Sequence, residues 1–172
     1  MDERLVSGKP IALVLAVLFI GAGLFKWWPS DERAIRRQLD AVADTLTVPS
    51  TDTALSKITR LTELRNYLSA DASVRLGGLD APSREAILAA AERWNPPASG
   101  VFVSFSNELI DVAGTSARIS LTLKVSSRDP VTGETTVDER DAKVQMGKQN
   151  GDWLITSVEP LEAPEKARPG TP

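Results

Sequence analysis

The stretch QNGDWLITSVE, Gln149 to Glu159, reads as the tight turn and returning strand of a β-hairpin. Asn150-Gly151 is the dipeptide that a two-residue type I′ turn prefers, because both central residues need positive φ. The strand behind it, DWLITSVEPL, runs from Asp152 to Leu161 and carries Trp153 near its start. A hairpin needs a partner ahead of the turn, and the segment from about Glu134 to Lys148 supplies one, entered through a turn at Pro130 to Gly133. One step further out, Ser116 to Ser127 alternates Ala117, Ile119, Leu121, Leu123 and Val125 with Arg118, Ser120, Thr122 and Lys124. That period of two belongs to a sheet with one buried and one wet face. VFVSFSNELIDV, Val101 to Val112, joins it through Ala113-Gly114, so four antiparallel strands are expected after Gly100.

Before Gly100 the apolar period is three and four. Asp31 and Glu32 suit the first turn of a helix capped by Ser30, and Ile35, Leu39, Val42, Ala43 and Leu46 share one face of it. Pro49 interrupts, and Leu55, Ile58, Leu61, Leu64 and Leu68 sketch a second helix. A short extended piece, Ser73 to Leu76, ends at Gly77-Gly78. Asp80 or Ser83 then caps a third helix bearing Ile87, Leu88, Ala91 and Trp94 on one side, which Pro96 and Pro97 stop.

The sequence begins differently. Ile11 to Phe25, IALVLAVLFIGAGLF, contains no charged side chain, and carried through Trp28 it makes a helix of roughly 27 Å at ~1.5 Å per residue. That is just enough for a ~30 Å hydrocarbon core. Lys26, Trp27 and Trp28 supply the snorkelling cation and amphipathic rings of a membrane interface. The competing reading is a signal peptide cut near Gly21 or Gly23, but cleavage would leave Leu24, Phe25, Trp27 and Trp28 in water. The expected organisation is a short cytoplasmic N-terminus over residues 1–9, a transmembrane helix over 10–28, a folded domain over 30–161 and a proline-rich disordered tail over 162–172. Counts of Lys and Arg alone favour an inward domain, since Lys26, Arg33, Arg36 and Arg37 follow the span. The signal-like layout of a short N-terminus before a long domain favours export. The expected location is therefore the inner or plasma membrane, single-pass, with an extracytoplasmic domain.

Composition removes whole classes of chemistry. The 172 residues include no Cys and no His, hence no disulfide, thiolate metal site, cysteine nucleophile or Ser-His-Asp triad. With Asp2, Glu3, Arg4, Lys9 and Lys26 set aside, 17 basic and 21 acidic residues remain from Ser30 onward, interleaved in sign, and nucleic-acid binding has no support. Asp138-Glu139-Arg140-Asp141 is no cation site, because alternation along a strand sends neighbouring carboxylates to opposite faces. No glycine loop followed by lysine cradles phosphate. No cofactor or metal is expected.

The order of helix, helix, short strand, helix and four antiparallel strands, closing on QNGDWLITSVE, resembles the nuclear transport factor 2-like superfamily with its SnoaL-like branches. The resemblance covers about Ser30 to Leu161. It implies an α+β fold of cystatin-like type, a cone in which a curved antiparallel sheet packs on three helices around a hollow. The hollow serves catalysis in some members and ligand binding or dimer packing in others, so the fold leaves the function open. Ketosteroid isomerases of this superfamily use an aspartate base facing a tyrosine and a protonated aspartate, and related dehydratases use a His-Asp pair. This sequence has no histidine and one tyrosine, Tyr67, with no aspartate motif placed opposite it, so no catalytic residue carries over. Membrane-tethered relatives, the VirB-type assembly factors and the Mce-associated proteins, have a layout similar to this one.

Six residues are candidates for the pocket: Tyr67, Trp94, Asn107, Asp111, Asp138 and Arg140. Asp138 and Arg140 share parity with Ala142, Val144 and Met146, which places them on the concave side near the end of the sheet unless a bulge switches the parity. Asn107 and Asp111 share parity with Val101, Val103, Phe105 and Leu109, the pattern of a cavity lining or of a strand leaving its core. Trp94 and Trp153 suit either a flat ligand or the core. Arg36-Arg37 suits anionic headgroups or a solvated helix face. The leading expectation is a bacterial-type, membrane-anchored, non-catalytic module that binds a partner protein or small apolar ligand at the membrane surface. A pocket-carboxylate isomerase, cyclase or dehydratase is the alternative, and a structural dimer subunit, paired through the open sheet face, is the third. The expected partners are the lipid bilayer and a homodimer or membrane-complex partner.

Overall fold

The computed structural model describes residues 31–161. The expected N-terminus, transmembrane helix and disordered tail lie outside the described residues, as do Lys26, Trp27, Trp28 and the proposed Ser30 cap. Among the described residues no helix is long and apolar enough to cross a membrane.

Three helices and a six-stranded sheet follow in the order α1 (31–46), α2 (Ala54–Tyr67), β1 (Leu68–Leu76), β2 (Leu79–Ala81), α3 (Arg84–Arg93), β3 (Phe102–Ala113), β4 (Ser116–Arg128), β5 (Thr135–Gln149) and β6 (Asp152–Pro160). The sheet order is β2-β1-β6-β5-β4-β3, antiparallel throughout except where β1 runs parallel to β6. The α+β architecture and the four antiparallel strands after Gly100 agree with the sequence reading. Asn150 and Gly151 both have positive φ, 53° and 97°, as a type I′ hairpin requires.

Two expectations need correction. The second helix ends at Tyr67, so Leu68 opens β1, a nine-residue strand where the sequence suggested only Ser73 to Leu76. Gly77-Gly78 is the turn of a further hairpin, with Leu76 opposite Leu79. The apolar stripe drawn on α2 also misjudges its inner face, since Leu55 is 73% and Ile58 61% exposed. The inward stripe is instead Lys57, Arg60, Leu61 and Leu64, spaced by three and four. Arg60 faces inward because Asp52 neutralises it through two 2.6 Å hydrogen bonds, and Lys57 Nζ donates to the Trp94 carbonyl at 3.3 Å. Ser83, rather than Asp80, caps α3, its hydroxyl accepting from Ala86 N–H at 3.2 Å.

Helix α1 lies with Ile35, Leu39, Val42 and Ala43 buried, the spacing that the sequence shows. Its start is locked to the β5–β6 hairpin. The Asp31 carboxylate accepts from Lys148 Nζ at 2.6 Å and from Trp153 Nε1 at 3.4 Å, while Lys148 stands 5.5 Å from the centre of the Trp153 ring. Trp153 is 3% exposed and belongs to the core, with no stacking surface to offer a ligand. The Lys148 hydrogen bond, ahead of the others, holds the Asp31 carboxyl below the ordinary carboxylate range. A depressed pKa in the folded state contributes stability that is present above the unfolded value, about 3.9, and lost as pH falls through the folded one. Asp31→Asn is therefore expected to lower the Tm at pH 7, and the deficit relative to the parent protein is expected to shrink as melting is followed below about pH 4. A deficit of constant size down to pH 2 would count against the ion pair as its source.

Candidate functional site

The sheet and helices do not fill the space between them. A cavity of about 470 Å³ lies under the concave face, within the range of small-ligand pockets, roughly 300–1,000 Å³. Leu39, Val42 and Leu46 of α1 form one side, and Leu121, Leu123 and Val125 of β4 face them from the sheet. Ala142, Val144, Ile155 and Val158 continue the sheet wall. The β1–β2 hairpin contributes Leu76 and Leu79, and α3 contributes Ile87 and, at its C-terminal end, Trp94. Every described residue lining the cavity is apolar, with the Trp94 ring as the bulkiest. Leu79 and Trp94, respectively 40% and 43% exposed, reach solvent and mark the mouth between hairpin and helix.

The candidate residues are distributed unevenly around this hollow. Trp94 lines it. Tyr67, at the end of α2, is half-buried against the core and is not part of the lining. Asn107 and Asp111 lie on the outer face. A bulge shifts the β3–β4 register between Ser106 and Leu109, with Asn107 at φ 54°, and every residue after it changes side. Ile110 and Val112 turn in to pack against the core while Leu109 is 75% exposed. The parity that joined Asn107 and Asp111 to Val103 and Phe105 is broken at the bulge. Asn107 Nδ2 donates to Thr122 Oγ1 at 3.2 Å, and Thr122 donates to Asp141 at 2.8 Å, a polar relay across the outer face of three strands.

Asp138 and Arg140 are where their parity put them. They pair in register with Val125 and Leu123, both cavity-lining, and no register shift separates them from Ala142 and Val144. They form an ion pair of 2.9 Å at the cavity rim, and each remains about half exposed. The Arg140 guanidinium lies over the hairpin turn, 3.5 Å from where a Cβ on Gly77 would stand. Asp138 thus sits outside the hollow with an arginine beside it and water around it, in no position to act as a shielded base. Among the described residues no group of three or more acidic side chains could hold a metal ion.

The cavity lining includes residues that the sequence reading passed over, chiefly Leu76 and Leu79. A signal for them existed, because Gly-Gly flanked by apolar residues is a hairpin pattern. Which buried residues leave a void between them has no local signal at all.

A three-helix α+β cone whose six-stranded sheet wraps an apolar hollow has counterparts among solved structures. The chain has the nuclear transport factor 2-like, cystatin-like fold. A nuclear transport factor 2-like protein with a cystatin-like fold from Novosphingobium aromaticivorans matches with a TM-score of 0.62 at 16% identity, covering 98% of this chain and 96% of that one. A protein from the same organism named for scytalone dehydratase matches at 0.58 and 20% identity, over 75% of this chain and 81% of that one. A cystatin-like fold protein of unknown function from Nostoc punctiforme matches at 0.56 and 16% identity, over 74% and 87%. No family model matches the chain, and no curated protein matches it. At these identities the likeness concerns the fold, on which several functions are hosted.

Proposed function

We propose that this protein is a non-catalytic binding module that takes an apolar ligand into the cone, and that its N-terminal segment holds the module at a membrane. The observation that carries the reading is the lining: a hollow of about 470 Å³ with no titratable side chain among the described residues that form it. Catalysis of the isomerase or dehydratase kind needs a group that moves a proton within hydrogen-bond reach of the substrate. The name of one structural neighbour fits the dehydratase alternative. The lining of this chain favours binding, because burial of hydrocarbon against hydrocarbon, at about 25 cal/mol per Å², is the interaction such walls offer.

The geometry is compatible with a tether. Asp31 is bound to Lys148 and Trp153 at the end of the sheet where Ser116 pairs with Gly147, whereas the charged rim lies where Val125 pairs with Asp138. Nine residues of β4 separate the two ends, about 30 Å at ~3.3 Å per residue. A bilayer that held the residues before 31 would leave the cavity mouth facing away from it, open to a soluble or protein-borne source of ligand. The open sheet face carries the Asn107–Thr122–Asp141 relay and a 3.0 Å Lys124–Glu139 ion pair beside the exposed side chains of Phe102, Leu109 and Val137, a mixed surface that neither requires pairing nor excludes it.

The test is a titration of the full-length chain in nanodiscs, labelled at isoleucine methyls, with methyl palmitate. Ile87 and Ile155 line the cavity and Ile58 is exposed on α2. Saturable shifts at Ile87 and Ile155, with Ile58 still, are expected. Absence of any shift at the two cavity methyls would overturn the reading.

A further inference from the structure

The cavity walls say that the bulk of a ligand is hydrocarbon, and the rim says what its end carries. The geometry points to a single-chain amphiphile with an anionic head, a long-chain carboxylate, whose chain fills the cone and whose head binds Arg140. This inference rests on the proposed binding of an apolar ligand and adds the chemistry of the head. A cavity of about 470 Å³ is toward the small end of ligand pockets, which suits one alkyl chain rather than two.

Arg140 is placed for this by three independent features. Its strand parity directs it to the concave face, opposite Leu123 of the cavity wall. Its guanidinium rests against Gly77, between the lining residues Leu76 and Leu79, so it stands beside the greasy lip where a chain would leave the hollow. And its pairing is incomplete: Asp138 takes the Nε donor at 2.9 Å, while the two Nη groups have no acceptor among the described residues. A guanidinium offers five donors in a planar fork, enough for two carboxylates at once. Arg36 of this same protein does that, donating to Glu32 at 2.9 Å and to Glu108 at 2.7 Å. Asp138 therefore orients Arg140 toward a second anion and also opposes that anion with its own charge. Of the other nearby charges, Arg75 and Asp80 pair in register on the hairpin with the parity opposite to Leu76 and Leu79, and Lys124 and Glu139 pair with each other on the outer face. Among the described residues, Asp138 and Arg140 are thus the charged pair on the sheet side of the rim, while on the helix side Lys57 Nζ is held by the Trp94 carbonyl and Arg60 by Asp52.

The experiment compares palmitate, methyl palmitate and the cetyltrimethylammonium ion, at pH 8, on full-length protein in nanodiscs, with the Ile87 and Ile155 methyl shifts as readout. Partitioning into the bilayer is common to all protein variants and cancels between them. In the parent protein palmitate is expected to bind about tenfold or more tighter than its methyl ester, a hydrogen-bonded charge pair being worth ~1.4 kcal/mol or more. The cationic amphiphile is expected to bind more weakly than the ester. Arg140→Gln should erase the preference for palmitate over ester, by weakening palmitate far more than it weakens the ester. Asp138→Asn should widen the preference several-fold, by removing the opposing charge. Equal binding of palmitate and ester by the parent protein would overturn the inference, as would a preference that survives Arg140→Gln, while leaving the apolar cavity reading intact. Failure of all three ligands to move the cavity methyls would instead sink that underlying reading, and the inference with it.

Discussion

Ala142→Phe should abolish or weaken at least tenfold the uptake of methyl palmitate while leaving the domain folded. Ala142 is central in β5, pairs with Leu121 on one side and Pro160 on the other, and points into the cavity. A phenyl group there has the void to enter, so the usual overpacking cost of ~1–3 kcal/mol applies only in part. An aromatic also suits a central strand. Occupying the hollow removes the surface that the alkyl chain would cover, and a factor of ten corresponds to ~1.4 kcal/mol, less than the burial of two methylenes at ~0.8 kcal/mol each. The check is the isoleucine methyl titration together with a melting curve. A variant that melts within a few degrees of the parent and binds the ester as tightly would place the ligand elsewhere than the cone.

The largest effect on stability is expected at Gly100, before β3. Its φ is +84°, and a Cβ there would stand 2.5 Å from the Val48 carbonyl oxygen and 2.9 Å from the Ser50 nitrogen, both backbone atoms with no freedom to swing away. Val48 and Val101 exchange two hydrogen bonds of 2.8 Å just beside this contact, tying the loop after α1 to the start of the sheet. Gly100→Ala combines the left-handed backbone penalty, ~1–2 kcal/mol, with the loss or distortion of that bridge, about 0.5–1.5 kcal/mol per hydrogen bond. A destabilisation of about 3 kcal/mol follows, a fall in Tm on the order of 10 °C for a domain of this size. Gly114→Ala is the control: its φ is also positive, 63°, but nothing lies within 4 Å of its Cβ position. It should lose only the conformational part, ~1 kcal/mol. Equal losses at the two glycines, in thermal or urea melts, would show that the close approach at Val48 is not what Gly100 is for.

The course of the sheet could be followed along the chain wherever alternation was unbroken. Ile119 and Leu121 are buried, Leu123 and Val125 line the hollow, and Asp138 and Arg140 stand on the concave side, because in β4 and in β5 up to Gln145 nothing interrupts the period of two. The same rule failed in β3 for one residue's reason. Asn107 adopts positive φ, the bulge inserts an extra position, and Asp111 goes out while Val112 goes in. Nothing in SFSNEL marks that insertion, since asparagine is equally at home in ordinary turns and strand ends. On α2 the failure has another cause. Leu55 and Ile58 are apolar and their spacing predicts a core face, yet the inner stripe accepts Lys57 and Arg60 once Asp52 and the Trp94 carbonyl satisfy their heads. The Trp94 carbonyl lies 37 residues from Lys57, and Asp52, though only eight residues from Arg60, stands just before the helix, so neither partner enters the helical periodicity itself.

What the sequence by itself determined is local in origin: three helices, the unbroken alternation of β4, and a type I′ turn at Asn150-Gly151. Each depends on residues within a turn or two of one another, where backbone sterics and periodicity act. What only the tertiary structure decided is which of those residues face a void and which face one another. The all-apolar lining, the Asp31 lock on Lys148 and Trp153, and the guanidinium of Arg140 over Gly77 join segments distant in the chain. A cavity is the space that packing leaves unfilled, and it depends on how whole elements are spaced, a distance that no single stretch of sequence encodes.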